Sequence, residues 1–156
     1  MADPDDERSL DELLSETRIL LPGTQVLLAF LMTLPFTDRF ARLPELERVV
    51  YFCTFLATQV ALACFVTPAS YHRIARPIRD KVRFKNFVNV FLVIGLIPTS
   101  ISTVLTTFLI ASVVAGRAYA YPTAAIVAVF VMIMWWFAPL LRVHERYGGL
   151  RRAEAR

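Results

Sequence analysis

Residues 16–36 read Glu16-Thr-Arg-Ile-Leu-Leu-Pro-Gly-Thr-Gln-Val-Leu-Leu-Ala-Phe-Leu-Met-Thr-Leu-Pro-Phe36, and between Arg18 and Asp38 the chain carries no charge. About 20 residues rising 1.5 Å each cover a hydrocarbon core of roughly 30 Å, so this stretch predicts a helix that crosses a membrane. Three further apolar runs follow, and the predicted spans are 19–36, 49–67, 87–115 and 118–141. The expected fold class is all-α: a four-helix transmembrane bundle with an N-terminal interfacial amphipathic helix.

Composition narrows the chemistry. The chain has 156 residues, 56% of them hydrophobic, and a mean hydropathy of +0.53. The segments before the first span and after the last are too short to bury a core of their own, which excludes a soluble catalytic domain. The chain is therefore not expected to be an enzyme, and no nucleophile, base or metal cluster marks a catalytic, cofactor-binding or metal site. The net charge of +4 does not point to nucleic acid here, because the basic residues cluster beside the spans, as topology signals and contacts to anionic lipid do. Cys53 and Cys64 are separated by about 16 Å along one predicted helix and cannot pair with each other; they read as small buried hydrophobes.

Three regions are expected: a mobile acidic N-terminus over 1–8, one four-span membrane domain over 9–147, and a basic tail over 148–156. Ser9-Leu-Asp-Glu12 has the capping-box pattern that starts a helix. Leu10, Leu13, Leu14, Thr17 and Leu21 then recur at helical spacing, which predicts a helix lying in the interface before Pro22 and Gly23 bend it inward. The N-terminus is acidic and lacks a small-residue cleavage site, so the first span is expected to remain as an anchor. Of the Lys and Arg residues, thirteen lie on the N-terminal segment, the loop after the second span and the C-terminal tail, against four on the other two loops. By the positive-inside rule both termini are cytoplasmic.

The polar residues within the spans are the candidate functional positions. The absence of Asp, Glu, Lys, Arg and His from the predicted spans argues against ion-coupled transport, which needs a group that binds and releases the coupling ion. Gln25 and Gln59 fall at similar depth on neighbouring antiparallel helices and could clamp them by a hydrogen bond or line a pathway in an oligomer. In the third span Thr99, Ser100, Ser102, Thr103, Thr106 and Thr107 lie within an arc of about 160°, together with Asn89 and Gly95. That face suits either close helix packing or a water-lined route. Pro98, with Gly95 one turn away, marks a kink that accommodates a long helix or serves as a hinge. Arg73, Arg76, Arg79, Lys81, Arg83 and Lys85 form the candidate contact to anionic headgroups. His72 and His144 lie just outside the spans, where imidazole titrates near neutrality.

Glu16-Thr-Arg18, Gly23-Thr-Gln25-Val-Leu, Ala29-Phe-Leu and Leu34-Pro-Phe36, with Tyr71-His-Arg73 after the second span, resemble a family of short four-span bacterial membrane proteins of unknown function (DUF6328). The resemblance implies the bacterial cytoplasmic membrane and a four-span topology, and carries over no activity or binding residue.

Two function classes remain. One is a non-catalytic membrane partner or accessory protein that uses its basic loop and acidic N-terminal helix, its protein partner unspecified. The other is a small oligomeric channel or transporter lined by the third span. A homo-oligomer is expected in either case, because Ala57 and Ala61 offer a close-packing surface on the side of the second span opposite Gln59.

Overall fold

The computed structural model describes residues 4–74 and 81–139. These residues form α1 (Pro4–Thr33), a 3₁₀ turn (Leu34–Phe36), α2 (Asp38–Ala41), α3 (Glu45–Ile74), α4 (Lys81–Ala115) and α5 (Arg117–Val131), which runs on into a π-helical turn (Met132–Phe137). No strand occurs among the described residues. Four helices are long and apolar enough to cross a membrane: Ile19–Phe36, Glu45–Tyr71, Val82–Ala115 and Arg117–Phe137. This is the all-α four-span architecture expected from the sequence.

The N-terminal helix begins at Pro4, so residues 4–8 belong to its first turns. The interfacial and spanning segments, expected to meet at a bend at Pro22 and Gly23, belong to one continuous α1 with Pro22 inside it. Proline removes one intrahelical bond and crowds the carbonyl one turn back, a disturbance that membrane helices accommodate by local adjustment without ending. The side chains that would define the amphipathic face over 10–14 lie outside the described residues.

The chain divides within α4 into two compact units, residues 1–106 and 107–156. In the first, α1 packs along α3. Pro35 enforces the 3₁₀ turn that ends α1, and Thr37 closes it by donating its hydroxyl to the Leu34 carbonyl at 2.7 Å. The N-terminal end of α3 is tied back by Tyr51, whose phenol donates to the Leu31 carbonyl at 2.8 Å and meets Phe40 edge-on at 4.8 Å.

One face of α3 is buried along its whole length. Glu47, Tyr51, Thr54, Thr58, Ala61, Phe65 and Pro68 recur at alternating steps of four and three, and all are buried. Towards the far end of α3, Ala61 and Phe65 join Phe84, Val88 and Leu92 of α4 in a core flanked by Leu20 and Leu21 of α1. In lipid such a cluster gains nothing by leaving water, since acyl chains are equally apolar; the gain is van der Waals contact between well-fitted surfaces. Tyr71 continues the cluster, stacked on Phe84 at 5.9 Å and tilted on Phe87 at 4.8 Å.

In the second unit α4 ends at Gly116, whose φ of 88° and ψ of 164° lie where a side chain is strained. Its N–H donates to the Ser112 carbonyl and its own carbonyl accepts from Tyr119 and Ala120, so one residue ends α4 and starts α5. This is the tight hairpin expected at Gly116-Arg117. Phe108 and Tyr121 meet across it at 5.2 Å.

Candidate functional site

Thr58 is the middle residue of the apolar span Glu45–Tyr71. Its hydroxyl stands 2.6 Å from that of Ser102, near the middle of α4, and both residues are 1% exposed. Thr58 also donates to the Thr54 carbonyl at 2.8 Å. A hydroxyl has one proton, so within the pair Ser102 is the donor and Thr58 the acceptor.

The other hydroxyls nearby follow the same economy. Thr99 donates to the Gly95 carbonyl at 2.7 Å, Ser100 to Leu96 at 2.7 Å and Thr103 to Thr99 at 2.8 Å. On α1, Thr24 donates to Leu20 at 3.0 Å. Serine and threonine in a helix commonly bond the carbonyl one turn back, which satisfies their proton without a partner from another helix.

All of these groups except Ser100 line a partly open cavity of about 160 Å³. Its walls are Gly23, Thr24 and Leu27 on α1, Thr58 and Ala61 on α3, and Thr99, Ser102 and Thr103 on α4. Among the described residues no titratable side chain lines it. Gly23 leaves open space where a Cβ would stand, whereas Gly95, two turns from Ser102, is packed tightly: a Cβ there would come within 2.5 Å of the Phe65 ring and 3.1 Å of Cys64.

The sequence-predicted positions separate accordingly. Ser102, Thr103 and Thr99 meet at the cavity. Thr106 is one turn further along, its hydroxyl oxygen buried without a hydrogen-bond partner. Gln25 is exposed and Gln59 half-buried, and no hydrogen bond joins them among the described residues. Asn89 is exposed on α4. Gly95 forms the notch that seats Phe65, and Pro98 is half-buried inside a continuous α4. Ala61 is spent inside the chain, in the core with Phe65, so it does not present the outward close-packing surface expected of it.

Of the basic group, Arg73 and Arg83 are exposed and Lys85 is half-buried. Arg76, Arg79 and His144 lie outside the described residues, as do the side chains of Lys81 and His72. Cys53 is exposed and Cys64 half-buried, both as free thiols.

Sequence reasoning singled out Gln59 and passed over its neighbour Thr58, and it did not select Thr24 or Glu47. Glu47, two residues before the predicted second span, is 3% exposed in the first turns of α3 and is engaged by another group. The available signal was the step of four from Thr54 to Thr58, continued by Ala61 and Phe65.

A family model described as a family of unknown function (DUF6328) matches residues 3–139. The chain belongs to the DUF6328 family. No curated protein and no solved structure matches it. The match takes in all four spans of this DUF6328 protein, including every cavity-lining residue.

Proposed function

We propose that this DUF6328 protein is a non-catalytic partner or accessory protein of the bacterial cytoplasmic membrane, with both termini cytoplasmic. The observation that carries the reading is the use made of the hydroxylated face of α4. Thr99, Ser100 and Thr103 donate to their own helix, and Ser102 is bonded to α3. A conducting path needs groups that exchange their partners with a passing ion; these support a packed seam. Arg73, Arg83 and Lys85 at the cytoplasmic ends of α3 and α4 suit anionic headgroups. Exposed Gln25 supports self-association, because an amide facing hydrocarbon gains most from pairing with a second copy. Ion flux through purified protein in liposomes tests this reading. The expected result is no flux above protein-free vesicles across a range of salts and pH, and sustained flux would sink it.

A second reading, a small oligomeric channel, is favoured by the hydroxyl-walled cavity at mid-span. In that case Thr103→Leu or Thr106→Leu lowers flux, while a bulky apolar change at Leu109 or Ile110 matters less.

A further inference from the structure

The proton bookkeeping of the cavity determines what can enter it. Thr24, Thr58, Thr99 and Thr103 each direct their hydroxyl proton to a carbonyl of their own helix, and Ser102 directs its proton to Thr58. The side chains therefore offer oxygen lone pairs to the cavity and no hydrogen-bond donor, and each donation strengthens the donating oxygen as an acceptor. An anion, which needs donors, finds none. A bare cation fits no better: a space of about 160 Å³ keeps its walls further apart than the roughly 2.3–2.6 Å at which oxygens hold a hard cation such as calcium, and no carboxylate offsets its charge.

What remains is a neutral guest of several heavy atoms with an O–H to donate and an apolar part to lie against Leu27 and Ala61. We propose that the cavity binds the hydroxyl head of a small neutral alcohol, its single O–H proton donated to the Thr99 or the Thr24 oxygen from within the span. The cavity is open on one side, so an alkyl chain can extend from it. The alcohol can come from the bilayer, as a lipid alcohol, or from water, as a small polyol; the chemistry at the cavity is the same.

The test uses the full chain in phospholipid vesicles and a diazirine-bearing octanol as photolabel, with adducts mapped by mass spectrometry. Adducts are expected on Gly23–Leu27 and Thr99–Thr103, with labelling by the matching diazirine alkane about fivefold lower, the factor one hydrogen bond supplies. Thr99→Val and Thr24→Val keep the shape but each removes one acceptor; the double variant should lower octanol labelling about fivefold, and each single variant by less, because the remaining oxygen still takes the proton. Thr67→Val, which removes the same kind of self-bond away from the cavity, should leave labelling unchanged. Competition by excess octanol supports entry from the bilayer, and competition by glycerol supports entry from water. Equal labelling by alkane and alcohol in the unmodified protein, or adducts that avoid both peptides, would overturn the proposal without recourse to any variant.

Discussion

Two levels of the α3–α4 contact, seven residues apart on both helices, solve the same problem in opposite ways. At Phe65 and Gly95 a large ring fills the notch left by a missing side chain, and the fit leaves no room for a single added carbon. At Thr58 and Ser102, two turns or about 10.5 Å away, two small hydroxylated residues meet at 2.6 Å and the helices leave a cavity beside them. The difference teaches how a bundle in lipid is held. Burial of apolar surface supplies no preference for one helix neighbour over another, so the chain relies on shape at one level and on a directed polar contact at the other.

The largest expected effect is at the tight level. Phe65→Ala should destabilise the protein by about 3–5 kcal/mol, because a fully buried ring is lost from a site that cannot collapse around the gap. Thermal unfolding in mild detergent reads this directly, and the same change at Phe36, which is 90% exposed, should leave the midpoint nearly unmoved. If the two variants unfold alike, the closed seam is not what holds α3 to α4.

Next in size is Gly95→Ala, expected to cost about 1–3 kcal/mol by overpacking against Phe65. Combining it with Phe65→Leu should recover part of that loss, a coupling that a double-mutant cycle would detect. By contrast, alanine at Gly23 enters open space and should be tolerated.

The polar level should respond weakly. Ser102→Ala leaves the Thr58 hydroxyl satisfied by the Thr54 carbonyl, so its cost should be about 0.6 kcal/mol, the average for interhelical hydrogen bonds in membranes. Thr58→Val removes the acceptor of a buried Ser102 proton and should cost more than its partner change. Equal costs measured by denaturant titration would show that Ser102, too, finds its carbonyl at no expense.

The smallest effect is expected at exposed Gln25. Gln25→Leu should change the stability of the single chain by no more than about 0.5 kcal/mol, as surface substitutions do. It should reduce chemical cross-linking between copies in the membrane; undiminished cross-linking would remove Gln25 from any contact between chains.

Legibility from the sequence followed the physics of each region. Spans, hairpin and helical class were visible because a bilayer demands continuous apolar helices, and because Gly116-Arg117 leaves too few residues for anything but a turn. The site was only half visible. The hydroxyls of α4 stood out as a dense cluster, whereas Thr24, Thr54 and Thr58 lie singly on their spans, two of them beside a more conspicuous glutamine. In water the inward face of a helix is its most apolar one; in lipid that contrast vanishes, and the buried face of α3 carries Glu47, Thr54, Thr58 and Ala61. Hydropathy periodicity cannot find a stripe that is marked by small size and self-bonded hydroxyls.

The sequence by itself determined that this chain crosses a membrane four times as helices, since unsatisfied backbone groups cannot stand in hydrocarbon and only regular helices of that length supply every bond. It also determined where the chain reverses, through the positive φ that glycine alone accepts readily at Gly116. Only the tertiary structure decided which face of each span meets protein and which meets lipid. It turned Ala61 inward to the core and left Gln25 outside. It also set Gly95 against Phe65 as a closed contact and left Gly23 beside a cavity. Those outcomes depend on the fit of one helix surface to another, and neither the hydropathy nor the spacing of one span contains the shape of its neighbour.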